Sequence, residues 1–143
     1  METQIKKRVL FLCTHNSARS QMAEGLMNAL CTDNFEAYSA GTHPTEVNPH
    51  SVKALAELGI DISKNQAKDL SAYAGQKFDY VITVCDNAKE ECPYFPGAKK
   101  QLHISFDDPS GFKGSEEETM LRFRRVRDEI KDWMKKEFDQ APR

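Results

Sequence analysis

Apolar and polar positions alternate in blocks along this chain, and the period within each block separates strands from helices. Residues 8–13, RVLFLC, are a short, almost unbroken apolar run and predict a buried strand. Residues 20–31, SQMAEGLMNALC, place Met22, Leu26, Met27, Ala29 and Leu30 at helical spacing. FEAYSAG, 35–41, predicts a second strand closed by Gly41, and THPTEVNPH, 42–50, is rich in turn formers. Pro49 near its start and Gly59 at its C-cap bound a helix over 49–60. The polar stretch 61–78 predicts a loop with one short helix. DYVITVC, 79–85, is β-branched and apolar and predicts a third strand. Residues 87–100 predict a loop or weak helix stopped by Pro93, and KQLHISF, 100–106, a fourth strand. From Glu116 a long helix follows, with Phe123, Val126, Ile130, Trp133 and Phe138 as its apolar stripe. Glu116, Glu117 and Glu118 suit the positive end of its dipole.

Strands that alternate with helices argue for a parallel sheet covered on both faces. There are no repeats or low-complexity tracts, and 143 residues suit one domain spanning 1–143. No apolar run approaches the ~20 residues of a spanning helix, and the N-terminus lacks a secretory h-region. The expected location is therefore the cytoplasm, with no membrane partner. A net charge of −2 with both signs interspersed argues against a nucleic-acid surface.

The cysteines sharpen the picture. In a reducing compartment Cys13, Cys31, Cys85 and Cys92 start as thiols, which favours catalytic or redox use over structural staples. No C-x-x-C pair exists and the histidines are scattered, so the spacing of a tetrahedral zinc site is absent. Cys13 ends the first strand, and Arg19 and Ser20 open the first helix. Backbone N–H groups of Thr14, His15, Asn16, Ser17, Ala18, Arg19 and Ser20, between a strand end and a helix start, can form a nest for a tetrahedral oxyanion. Arg19 adds a bidentate fork. The same field favours thiolate at Cys13, and a Ser20 hydroxyl could donate to that sulfur. Asn16 tolerates the left-handed backbone of a tight loop. Cys31 reads as structural, His43, His50 and His103 as structural residues without evident partners, and Arg122, Arg124, Arg125 and Arg127 as the solvated face of the last helix.

The motif CTHNSARS resembles the C-x5-R-S loop of low-molecular-weight tyrosine phosphatases and of the arsenate reductases that share their fold. His15 and Ala18 stand where relatives often have glycine and cysteine, and His15 is expected to alter access at the pocket mouth. The resemblance implies a three-layer α/β fold: a four-stranded parallel sheet of order 2-1-3-4 with helices on both faces. In that order the strands ending in Cys13 and Cys85 are neighbours, about 4.8 Å apart, within reach of a disulfide after modest loop movement. VCDNAKEECPYFPG resembles the redox segment of thioredoxin-coupled arsenate reductases. That resemblance implies a Cys13–Cys85 disulfide intermediate, a final Cys85–Cys92 disulfide, and thioredoxin as reductant. A helical spacing would hold Cys85 and Cys92 ~10 Å apart, so the segment between them must be looped or unwind.

Asp108, directly before Pro109, matches the general acid of the family, and a carboxyl beside a bound oxyanion favours its protonated form. Asp107 is not given that role. Ser110 replaces the tyrosine that commonly follows in tyrosine phosphatases. Asn16, Glu24, Ser39 and Asp69 fall where some relatives gather oxygens around a monovalent cation. The expected activity is thus reduction of arsenate to arsenite by Cys13, Cys85 and Cys92, with Arg19 and Asp108 assisting. Phosphate and sulfate are expected analogues of arsenate. No organic cofactor or resident metal is needed, and a monomer is expected. A phosphatase working through a phosphocysteine is the rival of the same fold. A non-catalytic redox sensor or oxyanion-binding module is the rival of another class.

Overall fold

The computed structural model describes residues 6–84 and 95–138. Four strands, β1 Lys7–Cys13, β2 Phe35–Gly41, β3 Phe78–Thr83 and β4 Ala98–His103, form one parallel sheet in the spatial order β2-β1-β3-β4. The helices are α1 Arg19–Leu30, α2 Pro49–Ala56 and α3 Glu116–Phe138, with 3-10 turns at Leu70–Tyr73 and Pro109–Gly111.

Strand β1 sits between β2 and β3 and is buried from Val9 to Cys13. Its side chains alternate between two cores, as the two-residue period requires. Val9, Phe11 and Cys13 join Met22, Leu26 and Met27 of α1, Leu55 of α2, and Phe123, Val126 and Ile130 of α3. Leu10 and Leu12 join Ala40, Phe78, Val81 and Phe95, with Leu70 and Tyr73 of the first 3-10 turn packed on them. Both faces of the sheet are therefore covered, which is why β1 reads as a continuous apolar run. Full burial of side chains such as Phe11 and Leu12 stabilises the fold by roughly 1.5–3 kcal/mol each.

Several boundaries move. The third and fourth strands lie over 78–83 and 98–103 rather than 79–85 and 100–106. Pairing begins early because the Phe78 N–H donates to the Gly97 carbonyl, and the register closes at Thr83 opposite His103. Strand β4 is an edge strand that carries Lys99 and Lys100, both exposed. Helix α2 stops at Ala56, and Gly59 takes a φ of 78° in the turn that follows, the left-handed conformation expected of a glycine there. On α1, Ala29 and Leu30 are exposed instead of core, because the last turn passes beyond the sheet-covering face.

The arginine run of α3 also needs correction. Arg127 is only 7% exposed. Its Nη1 donates to the Ala54 carbonyl and to Glu57 Oε1, and its Nε to Asp128. Arg124 forks onto the same Glu57. These bonds join the end of α2 to α3, and they hold the Glu57 carboxyl below its usual range.

Candidate active site

Everything the sequence places between Cys13 and Ser20 converges where β1 gives way to α1. The Cys13 Sγ lies 2.9 Å from the Ser20 Oγ and is 2% exposed. The surrounding donors fix the Asn16 end of this chain of contacts. The backbone N–H of Lys68 can only donate, and it meets Asn16 Oδ1 at 2.8 Å. That fixes the Asn16 carboxamide, whose Nδ2 donates to Ser20 Oγ at 2.8 Å. With one lone pair taken by Asn16, the Ser20 hydroxyl keeps its proton available to donate to Cys13 Sγ when that sulfur is a thiolate. Asn16 is fully buried and adopts a φ of 49°, the left-handed conformation expected for this loop.

The carbonyls of the loop are turned away and occupied. Thr14 O accepts from His43 N, His15 O from Thr45 N, and Ser17 O from Asn48 N. Asn16 O accepts from Gln21 Nε2, and Ala18 O from Met22 N within α1. Carbonyls held outward are the complement of N–H groups that face inward. Helix α1 itself begins at Ala18 with no side-chain cap and no acidic residue in its first turn. Its positive end is left open to an anion.

Arg19, 2% exposed, reaches across the carboxyl end of the sheet. Its Nη1 donates to the Phe106 carbonyl at 3.3 Å, and its Nη2 lies 3.6 Å from Asp108 Oδ2. Asp108 caps the 3-10 turn: its Oδ1 accepts from the backbone N–H and the hydroxyl of Ser110, which leaves Oδ2 on the side of Arg19. Asp107 points elsewhere, onto Arg125 at 2.9 Å, and is 68% exposed. Cys13, Arg19, Ser20 and Asp108 are thus brought together and Asp107 is not.

Cys85 and Cys92 lie outside the described residues. Val84 is described; it is buried, and its N–H donates to the Leu12 carbonyl, next to Cys13. His15 is exposed, and its Nδ1 lies 2.9 Å from the His43 carbonyl, so that nitrogen carries the proton. Cys31 is buried just past the end of α1.

Of the four oxygen-bearing residues grouped from sequence, Ser39 donates to Glu24, while Asn16 Oδ1 accepts from Gln21 and Lys68. Asp69 turns to the backbone N–H of Ser71, which holds its carboxyl below the usual range. The Lys68 ammonium stands 4.0 Å from Glu24 Oε1. Burial raises the Glu24 carboxyl, against the opposing pull of Ser39 and Lys68. Among the described residues no three His, Cys, Asp or Glu side chains cluster as metal ligands. The sequence reading missed Lys68 and Gln21, whose contacts depend on a loop distant in sequence. The histidines expected to lack partners have them: His50 meets Glu116 at 2.9 Å, and His103 meets Thr83 at 2.7 Å.

The family model "Low molecular weight phosphotyrosine protein phosphatase" matches residues 8–141. An arsenate reductase of Halalkalibacterium halodurans is 47% identical over 125 residues, 87% of this chain and 90% of its own length. A solved arsenate reductase in the phosphate-binding state superposes with a TM-score of 0.80 at 27% identity, over 95% of this chain and 99% of its own. A thioredoxin-dependent arsenate reductase of Corynebacterium glutamicum superposes with a TM-score of 0.62 at 29% identity, over 92% of this chain and 61% of its own. The chain belongs to the low molecular weight phosphotyrosine protein phosphatase family, among its arsenate reductases.

Proposed function

We propose that this protein reduces arsenate to arsenite through Cys13, Cys85 and Cys92. The observation that carries the site is the Asn16–Ser20–Cys13 chain of hydrogen bonds beneath the open end of α1, with Arg19 and Asp108 beside it. Arsenate would lie against the inward N–H groups of residues 14–20 and the Arg19 guanidinium. The Ser20 proton and the helix end stabilise the Cys13 thiolate, which attacks arsenic. An As–S bond forms, an As–O bond breaks, and Asp108 protonates the departing oxygen.

The Cys85 thiolate then attacks the Cys13 sulfur. The electron pair of the As–S bond passes to arsenic, which leaves as arsenite, and a Cys13–Cys85 disulfide remains. Cys92 next attacks Cys85, releasing Cys13 and forming Cys85–Cys92. A thioredoxin dithiol returns the two electrons. Thioredoxin is favoured because a structural relative carries that dependence in its name and because the cysteine spacing resembles that of thioredoxin-coupled enzymes. The reductant argues for the cytoplasm, and the chain is read as one domain acting as a monomer. No helix among the described residues is long and apolar enough to cross a membrane.

The deciding assay supplies purified protein with arsenate and either a thioredoxin or a glutaredoxin system, and measures arsenite directly. Sustained production with thioredoxin supports the relay. Cys85→Ser and Cys92→Ser should stop turnover while sparing any hydrolysis of phosphate esters. Undiminished turnover by Cys92→Ser with thioredoxin alone would refute the relay. Phosphate-ester hydrolysis without arsenite production would favour the phosphatase reading.

A further inference from the structure

Strand β2 ends at Gly41, which pairs in register with Cys13. A Cβ built on Gly41 would lie 2.5 Å from the Thr14 carbonyl oxygen, 2.9 Å from Asn16 N and 3.0 Å from the Cys13 carbonyl oxygen. All three are backbone atoms of the turn that follows the nucleophile, so none can swing away as the end of a side chain would. Nor is there room for β2 to withdraw. The Gly41 N–H donates to the Lys68 carbonyl at 2.9 Å, and the Lys68 N–H in turn donates to Asn16 Oδ1. From the far side, His43 N holds the Thr14 carbonyl at 2.8 Å.

We propose that Gly41 is a positioning residue for the oxyanion loop: its bare backbone lets the loop lie against β2 with the Thr14 carbonyl turned out to His43 and the Cys13 sulfur turned in to Ser20. It touches no substrate and acts through the loop. A side chain at 41 pushes the 13–16 backbone off β2, moving the anion-binding N–H groups and the sulfur together. The inference rests on the reading of 13–20 as the oxyanion loop.

The test uses the whole chain and inorganic phosphate as the probe. Alkylation of Cys13 by iodoacetamide is followed on its own peptide by mass spectrometry, against phosphate concentration. Wild-type protein tests the loop reading by itself: if phosphate does not protect Cys13, that reading fails whatever Gly41 does. Given protection in the wild type, Gly41→Ala should need at least about 10-fold more phosphate, since a displacement near 1 Å costs on the order of 10²-fold at such sites.

Gly25→Ala is the control for ordinary destabilisation. Its Cβ would press on the Leu55 and Ile62 side chains and not on the loop. It should lower the melting temperature and leave phosphate protection at its wild-type value. Wild-type protection in Gly41→Ala overturns the proposal, as does an equal loss in Gly25→Ala. If Gly41→Ala does not fold, His43→Pro removes the N–H that holds the same Thr14 carbonyl. Weakened protection there supports the proposal, and wild-type values overturn it.

Discussion

At its start, α3 has Ser115 and Glu118 exchanging hydrogen bonds between side chains and backbone, and three glutamates in its first turn. Helix α1 starts with no side-chain cap and no acid, with Arg19 and Ser20 buried in its first turn. Both ends have the same four orphan N–H groups and the same positive dipole. In α3 the chain's own side chains take two N–H groups at the helix start, and the gain is stability. In α1 no side chain caps the helix start, a guanidinium stands beside it, and a thiol lies at the end of the neighbouring strand. The contrast shows that the uncapped start is a local choice of residues, since the same protein caps α3 with side chains.

The comparison can be broken most severely at its centre. Cys13→Ser should abolish arsenite production and any phosphate-ester hydrolysis, since Cys13 stands at the open helix end; residual arsenate turnover would show that another thiol starts the reaction. Next, Asp108→Asn should slow the arsenic step by roughly 10²–10⁴-fold, the range of a general acid, while phosphate protection of Cys13 persists. Asp107→Asn, which loses only the exposed contact to Arg125, should change the rate little. Reversed effects would overturn the assignment of the acid.

Ala18→Asp gives α1 the acidic cap it lacks. A carboxylate about 4 Å from a bound anion repels it by about 4 kcal/mol at an effective dielectric of about 20, so phosphate affinity should fall by 10²-fold or more. Unchanged affinity would mean that the anion does not lie at this helix end. Ser115→Ala makes the converse change on α3, with an expected loss of about 1 kcal/mol in urea unfolding and no change in kcat or KM.

The smallest effect is one of pH. Hydrogen bonds first from His50 and then from Lys53 hold the Glu116 carboxyl below its ordinary 4.5. A carboxyl depressed in the folded state adds stability that is present above its unfolded value and is lost as pH falls through the folded one. Glu116→Gln should therefore lower the melting temperature slightly at neutral pH, with the difference from wild type vanishing in acid. A constant difference across that range would assign the effect to something other than ionisation.

How much of this was legible in the sequence differs from residue to residue. The run RVLFLC announces a strand buried on two faces, and its last residue announces the thiol, because both are local facts. The Arg19–Asp108 approach was legible only through resemblance, since 3.6 Å across two loops leaves no trace in spacing. Arg127 looked like one more solvated charge among its neighbours. Its burial depends on Glu57 and the Ala54 carbonyl, some seventy positions earlier in the chain. Lys68 escaped for the same reason: its backbone fixes Asn16, and nothing in a polar loop reveals that. Gly41 was legible as the close of a strand, but not as the surface on which the catalytic turn lies.

Strand β4 has a further consequence. As an edge, it presents backbone groups on which another chain's strand can add. Lys99 and Lys100 stand on that edge, Lys99 drawn to Asp79 at 3.6 Å, so an incoming strand must desolvate ammonium groups before it can pair. The sheet that carries Cys13 at the end of β1 thus also resists growing into an aggregate at this edge.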